Sequence, residues 1–389
     1  MKTPTPAEIQ ALASALDSAL PEFRVAGRPP PELLEAAHRW SEAVWAAAEA
    51  AGPFPLALAD RERGCRLACH PVFICGLHRS GTTLVRDMLD GHPQLGVLPS
   101  EGSFLTSLQS RMERLPPAER LPFLGREWLY RLVNPSNQAP FWLLGQAGGR
   151  QSPYLLFARL LLAWWSELQT GAVADLLLRP LVSVALAYIS ALRHGRVDAH
   201  LRYWTEKTPT NEFHLHQLWV DFPEAKVIHV LRDPLSIYAS RKQLDRQVFG
   251  AFRSRRRLLR DLARSFEIAV EHSYDPRYHL VRYEQLVQNP APVMERLAIF
   301  LDIEHHDSLL RPTLVSMPSF ANSSFAAPRR SGAILPAAAH HRGTLTALER
   351  QLIAAHAGHG ASRLGYPTER LGAIRSLLLK TGFRLWPAP

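Results

Sequence analysis

The sequence is poor in cysteine. Cys65, Cys69 and Cys75 are the only three in 389 residues, which excludes a disulfide scaffold and fits a reducing compartment. A long unbroken apolar run is also missing. Tyr154–Trp165 is too short to span a bilayer, and Ala172–Leu192 carries Asp175, Arg179 and Pro180 in its first half. The opening MKTPTPAEIQALASALDSAL has neither the basic start nor the apolar core of a secretory signal. No membrane anchor is expected, and the expected location is cytoplasmic. Asn322-Ser323-Ser324 matches a glycosylation triplet in form only, since nothing else indicates secretion. Acidic residues are in deficit, 35 Asp plus Glu against 45 Lys plus Arg, for a formal charge of +10. That balance suggests an anionic partner without saying which.

What is present describes a globular chain. Apolar residues make up 47%, enough to offset the entropy of ordering. Residues 1–70 read as helices with a break at Arg28–Pro31. Short apolar runs at Pro71–Gly76, Leu95–Leu98, Lys226–Leu231 and Tyr278–Tyr283 read as strands, and Tyr203-Trp204 as the end of another. Helical patterns follow at 84–89, 234–244, 255–272 and 292–301, with Asn134–Gln151 as a linker-like patch. Strands separated by helices predict an α/β fold, a central parallel sheet flanked by helices. The expected organisation is a helical region over 1–70, then an α/β domain over 71–389 with a helical insertion at about 103–200.

Two motifs carry chemistry. Gly76-Leu77-His78-Arg79-Ser80-Gly81-Thr82-Thr83 places two glycines five positions apart between a strand and a helix, which is phosphate-loop geometry. Thr82 stands where a Walker loop has its Lys, so transfer of a γ-phosphate is a poor reading. Arg79 and the hydroxyls of Thr82 and Thr83 are suited to holding an anion. The second motif is Arg232-Asp233-Pro234 with Ser240 and Arg241-Lys242. Arg232 closes a strand at the carboxyl end, where open α/β sheets bind ligands. Arg232 and Ser240 are placed to flank one phosphate, with Arg241 or Lys242 on its rim. The plainer alternative is an Arg232–Asp233 pair and a solvated helix end.

FICGLHRSGTTLVRDMLDGHP and KVIHVLRDPLSIYASRK together resemble the phosphosulfate loop and 3′-phosphate motif of sulfotransferases that use 3′-phosphoadenosine 5′-phosphosulfate (PAPS). The resemblance is to the bacterial-type family related to the tyrosylprotein sulfotransferases. Glu206-Lys207-Thr208-Pro209, LVRYEQLVQNP at 280–290 and LGYP at 364–367 support it. It implies a P-loop-type three-layer fold and sulfuryl transfer to a hydroxyl without a metal, leaving adenosine 3′,5′-bisphosphate. By the same resemblance, Arg79, Ser80, Gly81, Thr82 and Thr83 bind the 5′-phosphosulfate. Arg232 and Ser240 bind the 3′-phosphate, while Arg241 and Tyr283 lie at the nucleotide. Lys207 lies near the transferred group, and Glu101 is the general base, with a register that can slip by one or two residues. Partial burial would suit Glu101 to that role by raising its pKa. His78 and His92 are rival bases. His305-His306 and His340-His341 lack metal-like spacing.

Two other readings stand beside it, a P-loop phosphotransferase and a non-catalytic nucleotide-binding protein. The acceptor is expected to be a small hydroxylated molecule. The apolar residues of Tyr154–Trp165 exceed one buried helical stripe, which suggests a lipid-like alcohol or, equally, a helical cap on the sheet or a dimer interface. The run Arg253–Arg264 reads first as a solvated face, with attraction of an acidic acceptor or peripheral membrane contact as the other readings. It lacks interleaved aromatic platforms, so nucleic acid is not expected. Arg329 or Arg330 is a further candidate to cap the 3′-phosphate.

Overall fold

The computed structural model of the chain describes residues 4–26, 31–133, 142–145, 152–319, 332–334 and 343–385. The triplet Asn322–Ser324, Arg329, Arg330, His340-His341 and most of the patch Asn134–Gln151 lie outside the described residues. Five strands form one sheet: β1 (Pro71–Cys75), β2 (Leu95–Val97), β3 (Tyr203–Lys207), β4 (Lys226–Leu231) and β5 (Tyr278–Arg282). The spatial order is β2-β3-β1-β4-β5, and every pairing is parallel. Parallel neighbours need helical crossovers, and these cover both faces. Hence β1 is buried at all five positions and reads as a continuous apolar run.

Alternate residues of β1 serve opposite faces, as the strand period of two requires. Val72 and Ile74 join a core with α4 (Thr82–Leu89) and two later helices, Tyr283–Gln288 and Pro290–Leu301, through Val85, Met88, Leu286 and Leu297. Phe73 and Cys75 join a core on the other face, built largely from helices. Those include α1 (Pro6–Ala26), α2 (Pro31–Ala51) and α3 (Leu58–Ala68) before β1. Between β2 and β3 come α5 (Gln109–Glu113), α6 (Pro117–Val133), α7 (Ser152–Glu167) and α8 (Arg179–Leu192). Helix α2 packs on α1, α6 and α7, and α7 packs on α8. The segment before β1 and the insertion therefore share one layer.

That layer takes up much of the apolar surface of Tyr154–Trp165. Tyr154, Phe157, Leu160, Leu161 and Trp164 are wholly buried, and Leu155, Leu156, Leu162 and Trp165 are partly buried against the same core. Trp164 Nε1 donates to Ser190 Oγ at 3.1 Å, and the Tyr154 hydroxyl donates to Gly145 O at 2.9 Å. The helical-cap reading accounts for these side chains without an acceptor.

After β3 the chain continues through α9 (Leu215–Asp221), α10 (Pro234–Phe249) and α11 (Arg255–Glu271). It then passes β5 and α12 (Tyr283–Gln288), α13 (Pro290–Leu301), α14 (Ala347–Arg363) and α15 (Ala373–Leu385). Ile237, Leu258, Leu262, Phe266, Leu352 and Ile353 unite α10, α11 and α14 in a third cluster. The exposed side of α11 carries Arg257, Arg260 and Arg264 followed by Glu267 and Glu271, and Arg257 and Arg260 pair with Asp261. That is a solvated face.

One strand differs from expectation. Tyr203 opens β3, which runs on through Glu206 and Lys207. Two adjacent charges read as the end of a strand, but both are buried here because each has partners, given below.

Candidate active site

The candidate residues converge on the carboxyl ends of β1, β3 and β4 and on the loop after β2. The phosphate loop turns on Gly76 at φ +135° and Gly81 at φ +107°. A Cβ on Gly76 would lie 2.4 Å from Val230 O, and one on Gly81 would lie 2.3 Å from the Tyr283 ring. Arg79 sits at φ +78°, a left-handed conformation that costs a non-glycine residue about 1–2 kcal/mol. Gly81 caps α4 without any side-chain hydrogen bond, so the positive end of that helix faces the loop. Thr82 is buried and Thr83 exposed.

Gly81→Ala tests the loop. The Cβ meets Tyr283 and the backbone is one that Ala avoids. We expect a loss of about 1–3 kcal/mol, measured by denaturant unfolding. Unchanged stability would mean that the loop tolerates another path.

The two anion motifs form one cradle. Arg79 Nε donates to Ser240 Oγ at 2.9 Å, and Arg232 Nη1 donates to the carbonyl of Arg79 at 3.0 Å. The Arg232 guanidinium also lies 4.5 Å over the Tyr283 ring. Tyr283 thus supports both the loop glycine and the strand-end arginine. Asp233 is not the partner of Arg232. It caps α10, accepting from Ser236 N and Ser236 Oγ at 2.7 Å each. Burial, then the neighbouring charges of Arg232 and Arg241, pushes the Arg79 pKa below its ordinary value. An anion would relieve that crowding.

Ser80 Oγ and Arg232 Nε are buried and make no hydrogen bond within the protein. Two orphaned donors at a helix N-terminus fit a phosphate or sulfate oxygen. Arg241 turns partly away, toward Asp245 at 2.8 Å and Ser254 Oγ at 3.1 Å. Lys242 does not reach the rim. Its ammonium pairs with Glu349 at 2.7 Å and donates to Thr344 O at 3.2 Å, tying α10 to α14.

On the other side of β1, Lys207 Nζ donates to Glu101 Oε1 at 2.7 Å. The ammonium end is buried, while the Glu101 side chain is 39% exposed. Burial pushes the Glu101 pKa up, but Lys207, with help from His78 and Arg86, outweighs it and the net direction is down. The upward shift expected from burial is therefore not what prevails. His78 lies at the exposed mouth of the site, where partial dehydration and Lys207 lower its pKa against the pull of Glu101. His92 is held structurally, between Glu304 O at 2.9 Å and Gln94 N at 3.2 Å.

The loop carrying Glu101 is held at four points. Arg86 Nη1 donates to Pro99 O at 2.6 Å, and Arg131 Nη1 donates to Glu101 O at 2.5 Å. Gly102 N donates to Glu206 Oε1 and Ser103 N to Thr208 Oγ1, each at 2.8 Å. Glu206 also accepts from Asn211 Nδ2 at 3.0 Å and from the Thr208 hydroxyl. Glu212 makes the matching contact on the phosphate loop. It accepts from Gly76 N at 3.0 Å, while Thr210 N donates to Gly76 O at 3.0 Å. Burial pushes both Glu206 and Glu212 up to about 7. Behind Glu212, Ser265 Oγ donates to it at 3.1 Å and also meets His229 Nε2 at 3.1 Å.

The roles of Glu206, Glu212, Arg86 and Arg131 were not visible in the sequence. Glu206 and Glu212 flank Lys207 in EKTPTNE, so the faint signal was two acidic residues in a segment otherwise suited to a buried strand end. LGYP has a structural place: the Tyr366 hydroxyl donates to Glu284 at 3.2 Å, and Glu284 accepts from Asp233 N at 2.8 Å.

A parallel sheet whose first strand feeds an uncapped helix through a glycine-bounded loop, with Arg232 and Lys207 at neighbouring strand ends, is the P-loop-type three-layer fold. Within that class the chain belongs to the sulfotransferase family, whose family model matches residues 71–307. It is similar to the omega-hydroxy-beta-dihydromenaquinone-9 sulfotransferase Stf3 of Mycobacterium bovis and of Mycobacterium tuberculosis. Each is 25% identical over 174 residues, 41% of this chain and 40% of the relative. The match thus spans well under half the length of those relatives. The sulfotransferase domain from the Synechococcus PCC 7002 olefin synthase aligns at 20% identity and TM-score 0.39, over 82% of this chain and 96% of that one. Among the described residues no helix is long and apolar enough to cross a membrane, and no group of His, Cys, Asp or Glu forms a metal site.

Proposed function

We propose that the protein transfers a sulfuryl group from PAPS to the hydroxyl of a small acceptor. The observation that carries this reading is the joined cradle of Arg79, Ser80, Arg232 and Ser240 beside the Lys207–Glu101 pair. Two cationic motifs joined by hydrogen bonds, with a carboxylate–ammonium pair across β1 from them, support a ligand with more than one anionic group. PAPS, when bound, supplies the activated sulfuryl group and the leaving phosphate.

The roles of the chain's own residues follow from their chemistry. Ser80, the first turn of α4 and Arg79 hold the 5′ end, with Gly81 giving the backbone close approach. Arg232 and Ser240 hold the 3′-phosphate, with Arg241 at its edge and Tyr283 supporting Arg232. Glu101 takes the proton of the attacking hydroxyl as the oxygen–sulfur bond forms. Lys207 and Arg79 face the negative charge that appears on the leaving oxygen, stabilisation that is already in place before reaction. Sharing Lys207 with that oxygen would weaken the pairing that holds down the proton affinity of Glu101. Burial then raises its affinity for a proton at the step that needs a base.

The curated relatives are sulfotransferases of a hydroxylated menaquinone. That supports a lipid-like alcohol as the acceptor class to test first.

The donor is tested by calorimetry with adenosine 3′,5′-bisphosphate, AMP and ATP with Mg²⁺. We expect tight binding of the bisphosphate, and AMP weaker by more than tenfold for lack of the 3′-phosphate. Tight ATP binding with no preference for the bisphosphate would overturn the reading and favour a phosphotransferase.

A further inference from the structure

We propose that α15 is a docking surface for an anionic lipid bilayer. The helix lies against α14. Leu379 faces inward to the α10–α11–α14 core, and Arg375 Nη2 donates to Gln351 Oε1 at 2.9 Å. Successive helical residues turn by about 100°, so Ile374, Leu377 and Leu378 share the side away from Leu379. They are 78%, 62% and 65% exposed. Other large exposed apolar side chains, such as Leu58, Val220 and Ile299, stand singly among the described residues, which is ordinary. Three within five positions of one helix form a patch.

The charge around the patch indicates what covers it. Arg370, Arg375 and Lys380 are exposed beside it. From Arg370 to Pro389 the sequence contains four basic residues, with Arg384 the fourth, and no Asp or Glu. An aliphatic stripe edged by cations suits a helix lying in a lipid interface, its apolar side among acyl chains and its cations at anionic headgroups. A second copy of the chain would set four positive charges against four. The run Arg253–Arg264 has no such stripe: among the described residues of α11 no large apolar side chain is exposed. Membrane contact therefore belongs to α15 rather than to α11. The inference is independent of the reaction proposed above.

Cosedimentation of the full chain with vesicles tests it, using phosphatidylcholine alone or with about one third phosphatidylglycerol. Binding is expected only to the anionic vesicles and should weaken as salt rises. Ile374→Ser with Leu377→Ser and Leu378→Ser should weaken binding at least about tenfold. Arg370→Glu with Lys380→Glu should do the same, and both variants should melt like the parent. The double charge variant touches no core residue, so it remains informative if the triple variant fails to fold. Absence of binding by the parent, equal binding to uncharged vesicles, or parent-like binding by the charge variant each overturns the proposal. So does light scattering that shows a dimer which the triple variant dissolves, with no vesicle binding.

Discussion

Glu101→Gln is expected to lower kcat by about 10²–10⁴-fold, the usual contribution of a positioned general base. Affinity for adenosine 3′,5′-bisphosphate should stay close to that of the parent. Gln is isosteric and can still accept from Lys207, so the local hydrogen bonding survives while the proton acceptor is lost. The pH profile gives a second measure. The Glu101 carboxyl is held below its ordinary value of 4.5 by Lys207. The form needed for proton transfer is the ionised one, present above its pKa and lost as pH falls through it. The acidic limb of kcat/KM for the donor, which reports the free enzyme, should therefore lie below the ordinary Glu value. Full activity in Glu101→Gln would remove Glu101 as the base and point to His78, which sits at the same mouth.

Lys207→Met is expected to lower kcat by about 10²–10³-fold, the scale of removing one preorganised contact to a developing anion. Met suits the site because the Lys207 side chain is 96% buried and its stem is already surrounded by protein. This variant also changes Glu101. Without the ammonium, burial is left to push the carboxyl up. The acidic limb of kcat/KM should move to higher pH than in the parent. A lower kcat with an unmoved limb would show that Lys207 acts on the leaving oxygen without tuning Glu101.

Much of the frame was legible because the sheet obeys simple rules. KVIHVL and PVFIC are short apolar runs closed by RDP and by Gly76, and they became β4 and β1 within a residue of expectation. The loop between β1 and α4 was legible because only glycine tolerates Gly76 and Gly81 where they sit. β3 was misread because pattern reasoning treats Glu206 and Lys207 as solvent-seeking. In the fold they are buried with partners 104 and 106 residues earlier in the chain. No local pattern reports contacts of that range. The same distance hid the role of Glu212 at Gly76, 136 residues apart. The packing partners of α7 were hidden for a related reason, since the second of them, α2, precedes the whole sheet.

The four holds on Pro99–Ser103 bear on which substitutions the loop tolerates. Three come from α4, the helix after β1, and from the end of β3, the strand next to β1, and one, Arg131, comes from α6 in the helical layer. Substitutions in α7 and α8 should therefore leave the Glu101 backbone in place, while Arg131→Ala would free one side of its loop.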